Sequence, residues 1–321
     1  MYQAGAAIAK TAFLTHPACL EHEMGDGHPE APGRLRAIRR YLEETGLLRE
    51  MEVPDPSWAA DGIETLWEQV HGSHMVDSLR ALSPAQGYAE IDADTRMNPH
   101  SLRAARYASA TVLRALDGIA GGEFDSAFCA IRPPGHHAEQ AIPMGFCLVN
   151  HAAVAVQYLR SRLGVGRIAI LDFDVHHGNG TVDIFRNDPA TLVCSSFQHP
   201  FYPGRQLASG VSHLIHSPLA AGTTADAVLA VIDRDWLPAV ERHKPEWLIF
   251  SAGFDAHRDD PLGGLKWRSE DYYTITRRLL EVAQVTTGGR SLSLLEGGYH
   301  PDALAQSCHW HLRALLDMKV R

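Results

Sequence analysis

Ile168-Ala169-Ile170-Leu171-Asp172-Phe173-Asp174-Val175-His176-His177-Gly178-Asn179-Gly180 is the stretch that decides how this chain is read. Its first four residues form an apolar run, the pattern of a buried strand. Side chains alternate along a strand, so Asp172, Asp174 and His176 are predicted to share one face. Two carboxylates and an imidazole then converge at the strand's carboxyl end, where open α/β sheets bind ligands. Burying such a set is costly unless a metal or partner charges compensate it. The plainer alternative is a group of capping and turn residues.

The same design recurs on either side. Residues 127–131 are apolar and precede Arg132-Pro133-Pro134-Gly135-His136-His137. Residues 247–250 precede Ser251-Ala252-Gly253-Phe254-Asp255-Ala256-His257, and residues 291–295 precede Glu296-Gly297-Gly298-Tyr299. Residues 11–14 form a further short strand candidate. Amphipathic helices are predicted over 34–48, 101–116 with Ser101 as N-cap, 151–163 and 224–243. Such alternation predicts an α/β fold with a parallel sheet. Parallel strands bring their carboxyl ends to one edge, so turns far apart in sequence can meet there. No repeat, low-complexity tract or linker interrupts the pattern, and residues 1–321 read as one domain.

Composition narrows the function. Hydrophobic residues make up 45% of 321, enough for a sizeable core. No apolar run approaches the ~18 residues of a membrane span. Residues 1–12 lack the charged and apolar regions of an export signal. The five dispersed cysteines suit a reducing compartment better than a disulfide framework, so a cytoplasmic location is expected. A net charge of −9 without a Lys/Arg block argues against nucleic acid as a partner and leans toward cationic substrates.

Asp174, His176 and Asp255 read as a mononuclear metal site with open positions, as catalytic zinc requires, the alternative for Asp255 being a turn or N-cap aspartate. Two carboxylates and one imidazole also suit Fe(II) or Co(II). The tandem His136-His137 after Pro-Pro-Gly suggests proton handling near neutral pH. Tyr299 after two glycines is placed to donate to a developing oxyanion. Phe146 and the pair Phe201-Tyr202 offer aromatic walls for a methylene chain, or are ordinary core.

These motifs resemble one family: the zinc-dependent histone deacetylases, with the bacterial histone-deacetylase-like amidohydrolases and acetylpolyamine amidohydrolases. The resemblance rests on residues 132–137, Gly145-Phe146-Cys147, 172–181, 252–256 and 296–299, in family order across nearly the whole chain. His28-Pro29-Glu30 with Arg34 is similar to the family's first loop, and Asn179 and Glu296 resemble the class II branch. The resemblance implies an arginase–deacetylase fold, with about eight mainly parallel strands flanked by helices. It implies zinc at Asp174, His176 and Asp255, with His137 as general base and then acid. It also implies His136, steadied by Asp172, as electrostatic partner, Asn179 orienting His137, and Tyr299 polarising the substrate carbonyl. Gly145 would accept the amide N–H, Phe146 and Tyr202 would line the tunnel, and Arg34 would sit near an internal acetate channel. A structural potassium or sodium ion would use Asp172, His176, Ser196 and Phe197, with a second near Phe185.

The implied reaction removes acetyl or another short acyl group from an N-acylated amine. Leu262 stands where a polyamine-specialised relative carries an acidic gatekeeper, which favours acetyl-lysine-like chains in peptides or proteins. Glu21, Glu23 and Asp26 keep an acetylpolyamine open, unless they are solvated surface. A non-catalytic ligand-binding relative and a binuclear ureohydrolase are the readings from other classes. Oligomeric state stays open.

Overall fold

Seven strands, all parallel, form the central sheet of the computed structural model, which describes residues 7–205 and 210–320. Residues 1–6, part of the stretch read for an export signal, lie outside the described residues. The strands are β1 (Thr11–Leu14), β2 (Ser126–Cys129), β3 (Ile168–Asp172), β4 (Thr191–Gln198), β5 (Leu214–Leu219), β6 (Trp247–Ala252) and β7 (Ser291–Leu295). Their spatial order is β1-β2-β7-β6-β3-β4-β5. The resemblance implied about eight strands; seven are present among the described residues. Two short antiparallel ribbons lie outside the sheet, Ala7–Ile8 with Lys319–Val320 and Ala89–Glu90 with Arg96–Met97.

Every residue of β3, β6 and β7 is buried, as expected for central strands covered on both faces. The register keeps their carboxyl ends level: Asp172 pairs with Ser251, Leu295 with Ala252, and Leu294 with Cys129. The four strands whose ends carry His, Asp or Tyr are thus consecutive in the sheet. This adjacency, invisible in sequence order, gathers the site.

The covering helices include α1 (Gly33–Glu44), α2 (Ser101–Ala120), α3 (His151–Leu163), α4 (Asn179–Phe185), α5 (Asp271–Thr287) and α6 (Pro301–Leu316). No helix among the described residues is long and apolar enough to cross a membrane. Two predicted helices end differently. The first stops at Glu44, because Gly46 takes a left-handed φ of 78°, and a separate 3-10 turn follows over Leu47–Glu50. The segment 224–243 is Ala225–Val231, a π turn over Ile232–Trp236, then Leu237–His243. Pro238 lacks the N–H needed to keep the α-helical pattern there. Ser101 is the first residue of α2, not its cap: its hydroxyl accepts from the Asn98 N–H at 2.8 Å.

Strands β4 and β5 were not anticipated. Cys194, Ser195, Ser196 and Gln198 blur the apolar pattern of β4, and Pro218 interrupts β5. Proline is tolerated because β5 is an edge strand.

Candidate active site

The metal-ligand candidates converge by a route other than strand alternation. β3 ends at Asp172, so Asp174 and His176 lie in the turn beyond it. Asp172 Oδ1 accepts from the Asp174 N–H at 3.1 Å, and Asp174 Oδ1 from the His176 N–H at 2.9 Å. Two successive Asx turns therefore curl the chain and direct all three side chains inward. Asp255, at the end of β6, closes the group: its Oδ1 accepts from the Val175 N–H at 2.8 Å. Gly297 supplies its N–H to Asp174 Oδ2 at 2.8 Å. A Cβ at Gly297 would lie 1.9 Å from Asp255 Oδ2, so only glycine fits.

His176 Nδ1 sits 3.0 Å from Asp174 Oδ1 and 3.2 Å from Asp255 Oδ2. Asp255 Oδ2 is buried, with no hydrogen-bond donor placed on it. Two buried carboxylates and one orphaned oxygen make a donor set in search of a cation. Ligands at ~2.0–2.2 Å from a tetrahedral ion are ~3.3–3.6 Å apart, close to these separations. Asp174, His176 and Asp255 are the one cluster of metal-ligating type among the described residues. Burial and the neighbouring Asp174 charge push the Asp255 carboxyl up to about 7. Burial opposes charge on His176 too, but the hydrogen bond to Asp174 and the adjacent Asp255 carboxylate carry its imidazolium to about 10. A bound cation would relieve both.

The histidine pair arrives from β2. Its rings are 4.0 Å apart. His136 Nδ1 donates to Asp172 Oδ2 at 2.9 Å, and His137 Nδ1 bonds Asn179 Oδ1 at 2.6 Å. Burial opposes the His136 charge, yet Asp174, Asp172 and Glu296 together raise it well above the ordinary histidine value. Burial, with the charges of His136 and His176, holds His137 well below that value. Gly145 touches this ring closely: its φ is 57°, and a Cβ there would be 2.6 Å from His137 Cδ2.

A cavity of about 260 Å³ leads to these groups, lined by Asp94, His137, Gly145, Phe146, His176, Phe201, Tyr202, Pro261, Leu262 and Tyr299. Tyr202 meets the His137 ring edge-on at 5.1 Å, and Phe201 stacks on His176 at 5.3 Å. Phe146 holds a left-handed φ of 66°, a strained setting for a non-glycine residue, with its N–H satisfied by Thr95 Oγ1 at 3.0 Å. Its ring faces Tyr299 edge-on at 5.8 Å. A second cavity of about 240 Å³, between β1 and α1, is mostly apolar and contains none of these groups.

Tyr299 is held through its backbone, which donates to Asp260 Oδ2 at 2.6 Å. Arg34 lies behind it, 4.9 Å from the ring centroid. Arg34 Nε donates to the Gly298 carbonyl at 2.6 Å, Nη2 to the Glu296 carbonyl, and Nη1 to Glu30 at 3.0 Å. Arg132 completes the scaffold, donating to Glu30 Oε2 at 2.6 Å. Glu296 Oε2 accepts the Gly135 and His136 N–H groups at 2.8 and 3.1 Å, tying the tyrosine loop to the histidine loop.

The remaining sequence candidates divide. Asp172 and Ser196 lie on the adjacent strands β3 and β4, with Phe197 next in line. Ser196 Oγ is buried without a partner, which suits a cation ligand. The Phe185 carbonyl accepts from His213 Nε2 at 3.0 Å, so an imidazole already occupies that neighbourhood. Glu21 pairs with Arg103. Neither it nor Glu23 nor Asp26 lines the cavity. Sequence reasoning missed Asp94, which belongs to no apolar or glycine-marked turn, and Glu139, Glu30 and Arg132 as polar supports. Two residues beyond His137, Glu139 carried a positional hint in following the His pair so closely.

Comparison with known proteins places the sequence and the fold. The family described as the histone deacetylase domain matches residues 28–315. Among curated proteins, an uncharacterized protein of Synechocystis, slr0245, is 36% identical over 308 residues, covering 95% of this chain and 99% of its own. The histone deacetylase-like amidohydrolase of Pseudomonas aeruginosa is 33% identical, over 90% of this chain and 82% of its own. The solved HDA15 HD domain superposes with a TM-score of 0.87 at 32% identity, over 96% of this chain and 90% of that one. Seven parallel strands flanked by helices, so matched, are the arginase–deacetylase fold. By sequence and architecture, the chain belongs to the histone deacetylase family.

Proposed function

We propose that residues 1–321 form one catalytic domain, a zinc-dependent amidohydrolase that removes acetyl or other short acyl groups from N-acylated amines. The observation that carries this reading is the orphaned Asp255 Oδ2 beside Asp174 and His176, the last of which lines an aromatic-walled cavity shared with His137 and Tyr299. These three residues would hold a zinc ion, which would supply a lowered water pKa and polarisation of the acyl carbonyl.

The chain's own residues account for the rest. His137, kept neutral by burial and its cationic neighbours, takes the proton of the attacking water at Nε2. It returns a proton to the leaving amine, which departs poorly as an anion. His136, charged through Asp172, stabilises the negative charge that gathers nearby. Tyr299 donates to the oxyanion, and the Gly145 carbonyl accepts the substrate amide N–H. Phe146, Phe201 and Tyr202 exclude water around a methylene chain. The products are a carboxylate and a free amine. Asp172, His176, Ser196 and Phe197 would hold a potassium or sodium ion between β3 and β4, the buried Ser196 Oγ without a partner supporting that reading.

Leu262, apolar at the mouth, supports acetyl-lysine-like substrates over polyamines, whose second ammonium it cannot pair. The five cysteines are buried and free, which supports a cytoplasmic setting. The test is kcat/KM across acetyl-lysine peptides, acetylputrescine, acetylspermidine and longer acyl-lysines. The expected order places acetyl-lysine peptides first. A preference for acetylpolyamines beyond about tenfold, or 1.4 kcal/mol, would reverse the substrate assignment.

A further inference from the structure

Glu139 has no part in the chemistry just described, yet it is buried, 7% exposed, beside the histidine pair. Its Oε1 accepts from Asn179 Nδ2 at 2.8 Å. Both its oxygens accept from Arg205 Nη1, at 2.8 and 2.7 Å. Asn179 Nδ2 also lies 3.4 Å from the His137 carbonyl and 3.4 Å from Met144 Sδ. Every neighbour at that end of the amide is an acceptor, and an amide nitrogen can only donate. One orientation satisfies the site: nitrogen toward Glu139, oxygen toward His137.

Asn179 Oδ1 then accepts from His137 Nδ1, at 2.6 Å. The ring proton sits on Nδ1 and the lone pair on Nε2. A flipped amide would set a carbonyl oxygen against the Glu139 carboxylate and present N–H to His137 Nδ1. That arrangement demands the opposite tautomer, with Nε2 protonated and unable to take a proton. The carboxylate therefore acts on the imidazole through the amide, and Arg205 compensates its burial.

We propose that Glu139, clamped by Arg205, is a positioning residue that fixes the Asn179 amide and thereby the proton-accepting tautomer of His137. The proposal rests on reading His137 as the general base. Loss of an outer partner of this kind typically costs about 10- to 100-fold in activity. In the zinc-loaded enzyme with an acetyl-lysine peptide, E139A lowers kcat by that order and leaves KM nearly unchanged. In an N179D background either carboxylate oxygen accepts from Nδ1, orientation ceases to matter, and E139A no longer lowers kcat. Equal losses in both backgrounds would make Glu139 merely structural and overturn the proposal, as would unaltered kcat in E139A alone.

The tautomer is also readable without turnover, by 15N NMR of histidine-labelled protein. The wild type shows His137 protonated at Nδ1 alone, and E139A shows both tautomers. A wild type inactive on every acyl amine, but with this E139A-dependent tautomer, would sink the deacetylase reading and keep the inference. An unchanged tautomer in E139A would sink the inference alone. If E139A does not fold, R205M at the exposed end of the chain serves instead: it lowers kcat in the wild-type background and not with N179D. Equal loss in both backgrounds contradicts the proposal in the same way.

Discussion

His136 and His137 are neighbours in sequence, both buried, with rings 4.0 Å apart, yet the protein treats them oppositely. His136 faces the Asp172 carboxylate and is drawn toward its charged form. His137 faces the Asn179 amide, is buried beside the charged His136 and is held neutral. Burial is common to both and opposes charge in both. The partner at Nδ1 and the nearby charges decide the outcome. One strand end thus presents a fixed positive charge and, beside it, a base.

The most drastic way to break this contrast is to remove a carboxylate from the acidic cluster beside it. Asp255→Ala should abolish metal binding and turnover together, read as metal per chain by mass spectrometry alongside kcat. A variant retaining stoichiometric zinc and normal turnover would show that the ligand set is misassigned.

Tyr299→Phe leaves both histidines in place and removes one hydroxyl. Loss of an oxyanion donor costs ~10²–10³ in kcat, about 3–4 kcal/mol. KM should move less, because the ground-state carbonyl is the weaker acceptor. Melting temperature and zinc content should stay near wild type. Full activity in such a protein would make Tyr299 a packing residue.

Asn179→Asp erases the difference between the two partners. A base must be deprotonated to act, so activity falls as pH drops through its pKa. A carboxylate at Nδ1 raises the His137 value, and the acid limb of kcat/KM should move upward by about one unit or more. The wild-type limb should lie below the ordinary histidine range. An acid limb identical in wild type and N179D would show that His137 is not the titrating base.

The smallest effect belongs to the rim. Leu262→Glu should shift kcat/KM toward acetylspermidine relative to an acetyl-lysine peptide by about two- to fivefold, the worth of a partly exposed ion pair. No shift in the ratio would mean that the distal ammonium does not pass residue 262.

The sequence revealed what is local and left hidden what is assembled. Strand-then-glycine turns at residues 132–137, 172–180, 252–256 and 296–299 were legible because apolar runs and turn chemistry sit side by side in the chain. Their convergence was predictable from parallel topology. The strand order β2-β7-β6-β3 that makes them adjacent was not, since it arises from crossovers. Alternation along a strand predicted that Asp172, Asp174 and His176 come together, but two Asx turns beyond the strand bring them there. Strands β4 and β5 escaped because serines, a histidine and a proline break their period. Glu139 and Asp94 escaped for a related reason: their importance lies in contacts with Asn179 and the cavity, 40 or more residues away.

The central claim is that one metal at Asp174, His176 and Asp255 drives hydrolysis of an N-acyl amine. It is tested most directly by titrating zinc into chelator-stripped protein while measuring acetate released from an acetyl-lysine peptide. The account predicts no release without metal and a rise that saturates at one zinc per chain. Release from the stripped protein, or saturation only at two metals per chain, would contradict it.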